Sequence, residues 1–422
     1  MVNLIFDATV LASIYDKNAG RSGIFFASFN IFKEMLKRKD VNVALFASPR
    51  CFAEYKKFKN EFFPQLPDLY CRSCNRYITR LYFWLKKTYT SLLDHALLRK
   101  PFALFLHITH YIISCSASRL INYEEMNKYD VFFSPVYGVP KELLSRQIKR
   151  CYMLYDAIPL MFPEYYPAGS FLNDIKRDGK RWDLFFFDSR SSYNDFKKIF
   201  PFVSENNSCI VHLAADKLFS RNDESARWKS VQGKYHIPHG KKFVFSLCTL
   251  EPRKNLLRAV KCFVKFVNEN DIKDLVWILG GGHWRNFFCQ FAKETAKIEN
   301  FSKYVIPIGY VDDADLPVFY SNAEWFVYTS QYEGFGLPPL EAMRCGCPVI
   351  TSNNSSLPEV VGDAGIMIDW DSDEQHIKAY ENYYFNEELR KENSRKGVER
   401  AKLFSWEKTA DKMVEFMENN KK

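Results

Sequence analysis

The stretch W-F-V-Y-T-S-Q-Y-E-G-F-G-L-P-P-L-E-A-M-R-C (325–345) reads as a buried strand, a glycine loop and a helix start in immediate succession. Trp325–Tyr328 is a short apolar run of β-formers. Gly334 and Gly336 let the backbone turn and approach a ligand closely, and Pro338-Pro339 suit the first helical turn, where a missing N–H costs nothing. A helix N-terminus placed after a strand offers unpaired amides and a positive dipole end, which is an anion site. The candidate donors are the amides of Phe335, Gly336 and Leu337. Glu333 in the loop and Glu341 in the helix flank that site. Two acids would repel a phosphate unless both reach past it to accept hydrogen bonds from sugar hydroxyls. The plainer alternative is a solvated Glu333 and a helix-capping Glu341.

Outward from this unit, short apolar runs alternate with amphipathic stretches, which predicts an α/β protein with parallel sheets. The first series has strands at Val2–Phe6, Val41–Phe46, Val131–Ser134, Cys151–Tyr155, Leu184–Phe187 and Cys209–Leu213, with a helix over Ile24–Arg38. The second has strands at Phe243–Leu247, Leu275–Leu279, Val305–Ile308, Trp325–Tyr328 and Val349–Thr351, and helices near Leu256–Asn268, Phe287–Asn300 and Pro339–Cys345. Polar Asp216–Lys242 reads as the connection between them. The expectation is two Rossmann-like domains, 1–215 and 241–403, facing each other across a cleft, with a closing helix in 404–422 that crosses back.

Composition bounds the function. A chain of 422 residues exceeds one ordinary core, and 47% hydrophobic with 26% charged residues excludes disorder. The net charge of +9 suits an anionic partner such as a nucleotide or an anionic lipid surface. The eleven cysteines are scattered, and the lone C-x-x-C pair, Cys71/Cys74, lacks the second pair of a zinc site. The start M-V-N-L-I-F-D reads as a strand rather than a signal peptide, and no run is long enough to span a bilayer, so a cytoplasmic location is expected. No helix-turn-helix, RNP-like or zinc-finger pattern speaks for nucleic acid.

A second constellation, Glu251-Pro252-Arg253-Lys254-Asn255, falls at the turn between the Phe243–Leu247 strand and the following helix. Arg supplies a bidentate fork and Lys a point charge, so the pair can neutralise a departing diphosphate in place of a metal ion. Basic pairs on turns are usually solvated, and the motif gains weight from sharing a domain with the Glu pair.

These runs resemble the retaining glycosyltransferase family 4, of GT-B fold, and its mannosyltransferase-like surface-polysaccharide members. T-L-E-P-R-K-N (249–255), L-G-G-G (279–282), I-G-Y-V (308–311), Y-E-G-F-G-L-P-P-L-E-A-M-R-C-G-C-P-V-I (332–350) and S-N-N-S-S-L-P-E-V-V-G-D-A-G (352–365) follow the family's order and spacing. The resemblance implies that Glu341 holds the nucleotide ribose, Glu333 contacts the transferred sugar, and Arg253 with Lys254 binds the diphosphate. In the first half, N-A-G-R-S-G-I, with Gly20 and Gly23, resembles the loop over the donor phosphates. Tyr155-Asp156-Ala-Ile-Pro-Leu-Met-Phe-Pro-Glu resembles the family's H-D-x-x-P-L-x-F-P-E run. Tyr155 replaces the family's His, so a group that titrates near neutrality gives way to one that only hydrogen-bonds. Asp156 is available to orient an acceptor hydroxyl, or serves as a turn residue.

The activity so implied is metal-independent hexosyl or deoxyhexosyl transfer with retention, without a bound cofactor. The donor is a nucleotide-diphosphate sugar such as GDP-mannose, and the acceptor a glycan or lipid-linked saccharide. A non-catalytic nucleotide-sugar-binding scaffold is the rival. Asp313-Ala-Asp315 and Asp369-Trp-Asp371 spell the D-x-D triplet of a different fold, but next to turns, so the first reads as a helix cap and the second as surface acids. Gly280-Gly281-Gly282 lies under the nucleotide or forms a turn. His107 and His110 read as packing residues, and His212 as an outside candidate for the cleft.

Residues 68–122 are longer than the connection typical of the family and hold eight basic residues against two acids, six of the nine net charges. Ile78, Leu81, Tyr82, Leu85, Tyr89, Leu92, Leu93 and Ala96 share one helical face, with Arg80, Lys86 and Lys87 away from it and Trp84 near the boundary. That pattern predicts peripheral docking at the inner face of the cell membrane or, equally, a helix packed on the first domain.

Overall fold

The computed structural model describes residues 1–15, 23–70, 76–92, 96–166, 175–176, 178–282 and 285–421. Cys71 and Cys74, Gly20 of the first glycine loop, and Leu93 lie outside them. Two six-stranded parallel sheets organise the chain. The first contains β1 (Val2–Asp7), β2 (Val41–Phe46), β3 (Val131–Ser134), β4 (Lys149–Leu154), β5 (Leu184–Phe187) and β6 (Ser208–Ile210), in the order β2-β1-β3-β4-β5-β6. The second contains β7 (Lys242–Leu247), β8 (Leu275–Gly280), β9 (Val305–Gly309), β10 (Trp325–Tyr328), β11 (Val349–Ser352) and β12 (Ile366–Ile368), in the order β12-β11-β10-β7-β8-β9. Central strands such as β3, β5 and β10 are buried at every residue because helices cover both faces of each sheet, so they read as unbroken apolar runs.

Strand order decides where a ligand can sit. In the second sheet the winding reverses between β7 and β10, and the loops that leave those two strands at their carboxyl ends diverge to opposite faces of the sheet. In the first sheet the reversal lies between β1 and β3. The loops after β7 and β10 therefore open a crevice, and they are the loops that carry Arg253-Lys254 and Glu333–Gly336.

The expected polar connection is partly helical. Ser225–Lys234 forms a helix that packs on Leu316–Asn322, with Trp228 stacked on Phe243 at 5.0 Å between ring centres. Strand β12, three residues long, escapes recognition in the sequence because Ile366-Met367-Ile368 is shorter than any usable period. At the chain end, Ser405 caps the Trp406–Asn420 helix through Lys408 N at 3.2 Å. That helix crosses to the first half, packs on the Gly23–Lys37 helix, and sets Phe416 against Phe186 at 5.7 Å.

Residues 76–118 form a hairpin of two helices, Arg76–Ser91 and Ala96–Ser118, packed against each other. The apolar face expected to meet a membrane or to pack on the first domain is turned inward in part. Tyr82 and Leu85 are buried, Tyr82 stacks on His110 at 5.8 Å, and Lys86 pairs with Glu54 at 2.9 Å. His110 also lies 2.6 Å from Arg50 O, a packing role, whereas His107 is exposed. Leu81, from the same expected face, is exposed. Among the described residues no helix is long and apolar enough to cross a membrane.

Candidate functional site

The site is assembled from two loops of the second half. After β7, Pro252–Lys254 makes a single 3-10 turn, and Asn255 takes φ 56°, from where its side-chain amide donates to Thr329 O at 3.2 Å. Asn tolerates this left-handed conformation because its amide satisfies nearby carbonyls. The turn swings Arg253 and Lys254 back over the sheet. After β10, Gly336 at φ 115° begins the Leu337–Arg344 helix, and a side chain there would press on Leu357 at 2.9 Å.

These two loops meet on one carboxylate oxygen. Lys254 Nζ lies 2.7 Å and Arg253 Nη1 3.2 Å from Glu333 Oε1, and all three residues are largely buried. Lys254 also donates to Tyr328 OH at 2.7 Å and sits over that ring at 4.9 Å. Arg253 donates further to Tyr332 O, to Glu251 Oε2 at 3.3 Å and to Tyr166 OH at 3.3 Å. Burial raises the Glu333 carboxyl, but Lys254 and Arg253 outweigh it and hold the group at about 2. It is therefore a fixed anion, and the two cations are held at the switch point by it. Ser355 Oγ accepts from Glu333 N at 3.0 Å, and Ser356 Oγ donates to Glu333 O at 3.0 Å and Phe335 O at 2.7 Å. Those serines lock the loop.

Glu341 sits apart from this cluster, half-buried on the helix, and accepts from Tyr320 OH at 3.2 Å. Burial pushes its carboxyl up to about 8, opposed by Tyr320 and aided by Asp313 and Asp216. A carboxyl placed so is largely protonated near neutrality, and new hydroxyl donors around it favour its ionised form.

The first half closes over the loops. Gly334 presses against it so tightly that a side chain there would meet Tyr155 O at 2.7 Å and Asp156 Cβ at 2.9 Å. Gly334 O accepts from Ser189 Oγ at 2.6 Å and Ser192 Oγ at 3.2 Å. Glu359 accepts from Arg190 N at 2.8 Å and lies 2.6 Å from His212 Nε2. Tyr332 bonds Asp195, and Tyr166 OH donates to Glu251 at 3.0 Å. A side chain at Gly23, at the start of its helix, would meet Leu337 Cδ1 at 3.4 Å, so two helix N-termini lie close to one place.

The structure thus gathers Glu333, Arg253, Lys254, Gly334, Phe335, Gly336, Leu337 and Gly23 where the two halves meet, with Glu341 beside them. Phe335 itself is buried between His212 and Phe404, at 6.2 Å and 5.9 Å. Asp156 uses one oxygen as a turn residue, accepting from Ile158 N at 2.9 Å, yet remains near enough to Arg253, Glu333 and Lys254 to feel their charges. Burial pushes it above the usual range. Tyr155 departs from the group. Its hydroxyl faces Ser28 at 3.5 Å on the Gly23–Lys37 helix, and burial raises it further above neutrality.

Geometry bears on three other residue readings. Asp315 precedes a helix but does not cap it with its side chain; it pairs with Arg227 and with Lys234, the latter at 2.5 Å. Asp369 is tied to Asn353 and Gln375. Gly281 N donates to Gly309 O at 2.7 Å, which continues the β8–β9 pairing into the glycine run. Ser189, Ser192, Tyr166, Tyr328 and Glu359 went unrecognised in the sequence. A serine at the helix start in D-S-R-S-S-Y (188–193), directly after β5, is the one signal that could have pointed to the first two.

Comparison with known proteins agrees with this geometry. Residues 229–400 match the family model of glycosyl transferases group 1. The chain is 40% identical over 160 residues to the O-antigen chain mannosyltransferase B of Escherichia coli, covering 38% of this chain and 41% of that protein. It is 28% identical over 269 residues to the serotype-specific mannosyltransferase WbdA of Escherichia coli, covering 62% of this chain and 32% of the relative. The matches therefore span well under half the length of these curated relatives. Among solved structures, Anabaena Alr3699/HepE in complex with UDP and glucose superposes with a TM-score of 0.65 at 13% identity, covering 99% of this chain and 100% of that one. WaaG, a glycosyltransferase involved in lipopolysaccharide biosynthesis, superposes at 0.60 with 12% identity, covering 99% of each chain. The chain has the GT-B fold, and its residues 229–400 are similar to the glycosyl transferases group 1 family.

Proposed function

We propose that this protein is a retaining glycosyltransferase that moves a mannosyl or related deoxyhexosyl residue from a GDP-linked donor to a glycan or lipid-linked acceptor in surface-polysaccharide synthesis. The observation that carries the reading is the buried convergence of Lys254 and Arg253 on Glu333, 2.7 Å and 3.2 Å away, beside a helix N-terminus at the switch point. A diphosphate entering there takes over the two cations. As the sugar–oxygen bond lengthens, charge grows on the leaving phosphate, and a preorganised Arg fork and Lys stabilise it without a metal ion. Glu333, kept ionised by the cations that remain beside it, is suited to accept from sugar hydroxyls. Glu341 accepts from the ribose. The acceptor hydroxyl is oriented on the Asp156 side, and its proton passes to the departing phosphate oxygen.

The mannosyl assignment draws support from the names of the Escherichia coli relatives, and the assignment to polysaccharide synthesis from the same names. Thermal unfolding with GDP-mannose, GDP, UDP-glucose and UDP tests the reading, because a ligand that binds the native state raises stability as RT ln(1 + [L]/Kd). A shift with GDP and GDP-mannose and none with the uridine compounds is expected. A shift with the uridine pair alone overturns the donor, and no shift with any of the four overturns the nucleotide-sugar reading.

A further inference from the structure

The second helix of the 76–118 hairpin is inverted: its solvent side is apolar. Leu104, Phe105 and Tyr111 are 60%, 58% and 66% exposed, and Ile108 and Ile112 lie on the same face one turn on from Leu104 and Ile108. Spacing of three, four and seven residues sets them in a stripe along the helix, while Thr109, Ile113 and Ala117 on the opposite side are buried. The first helix extends the patch with Tyr77, Leu81 and Trp84, and Trp84 reaches Phe102 of the second helix at 5.9 Å between ring centres. A contiguous apolar surface of this size on a protein that must stay dispersed marks a place where something else covers it.

Charge indicates what that is. Arg80 and Lys87 stand one turn to either side of Trp84, Lys100 one turn before Leu104, and Arg119 just past the end of the second helix; all four are exposed. Among the described residues no ion pair involves any of them. Asp94 is the lone acid in the sequence between Asp68 and Glu124. A second copy seated on the patch would bring two such basic rims together, whereas a surface of anionic headgroups over acyl chains matches both the rim and the stripe.

We propose that this outward face of the hairpin seats the protein on an anionic lipid bilayer, with the aromatic and aliphatic stripe at the headgroup–acyl boundary and the basic rim on the headgroups. The buried face expected from the sequence, Tyr82 and Leu85, holds the hairpin to the body instead. The proposal goes beyond sugar transfer, and its test needs no donor or acceptor.

The experiment is sedimentation of the full chain with vesicles of equal parts phosphatidylglycerol and phosphatidylcholine, against pure phosphatidylcholine, in low and high salt. Binding to the anionic vesicles, weakened by salt, is expected. Each basic side chain near such a surface contributes about fivefold to partitioning, so Arg80→Glu with Lys87→Glu should lower it at least about 25-fold. Ile108→Glu with Tyr111→Glu should abolish it at an unchanged melting temperature, since both side chains already face water. Should that variant fold poorly, quenching of tryptophan fluorescence by brominated acyl chains, lost in Trp84→Phe, reads the same contact. Absence of sedimentation with anionic vesicles, equal binding to both lipids, or full binding by the Ile108→Glu/Tyr111→Glu protein overturns the proposal. So does a dimer that this variant converts to monomer while lipid binding stays unchanged.

Discussion

Replacing Lys254 with Met keeps the length of the side chain and removes one of the two cations that hold Glu333. In the native protein the carboxyl lies at about 2 rather than the ordinary 4.5, with Lys254 at 2.7 Å the nearer partner. By linkage that displacement corresponds to roughly 3 kcal/mol of stability at neutral pH. The sign follows from the depressed value: the contribution is present above the ordinary carboxyl range and is lost as pH falls from 4.5 toward 2. Arg253 remains 3.2 Å away in the variant, so only part of the contribution disappears, about 1–2 kcal/mol. Urea unfolding from pH 3 to 7, followed through the fully buried Trp277 and Trp325 of the second half, measures it. The variant should unfold at lower urea at neutral pH, and the gap should close toward pH 3. In turnover, loss of one preorganised charge at the leaving group should lower kcat about 10²–10³-fold with a smaller change in donor KM. Identical pH dependence of unfolding in the two proteins would refute the ion-pair argument, and a change confined to KM would refute the catalytic one.

Glu341, raised to about 8 by burial, should make donor affinity pH-dependent: Kd falls as pH rises from about 6 to about 8, by up to about tenfold per unit, and Glu341→Gln flattens the curve in calorimetry. For the free protein the same raised value means stability declines as pH climbs through that range, a slope the Gln variant should lack. Gly334→Ala places a methyl group 2.7 Å from Tyr155 O, so the loop and the first half must separate; kcat/KM should drop about 10–100-fold while the melting temperature moves little. Activity should survive EDTA, whereas loss on chelation and recovery with manganese would contradict a leaving group served by Arg253 and Lys254.

Much of the fold was legible because parallel strands buried on both faces are apolar runs: β2, β3, β5 and β10 fall where the runs do. The site loops were legible because glycine, proline and adjacent Arg-Lys at strand ends are rare enough to stand out. Contacts across the cleft were not. That Gly334 O meets Ser189 and Ser192, or that Tyr166 reaches Arg253, depends on how two sheets meet, and no local pattern encodes it. Amphipathicity located the first helix of the hairpin and left two readings of its apolar face, and Tyr82 and Leu85 follow the one that packs it on the body. Period alone shows that a helix has an apolar side; Tyr82 and Leu85 turn inward because Glu54 and His110 wait there, leaving Leu81 and Trp84 outside.

The most direct test of the account is the anomeric configuration of the product. Proton NMR of a saccharide acceptor incubated with GDP-mannose and the native protein should show a new α-mannoside, formed with release of GDP and absent with Lys254→Met. A β-linked product, or no transfer from GDP-mannose while another class of donor is consumed, would contradict it.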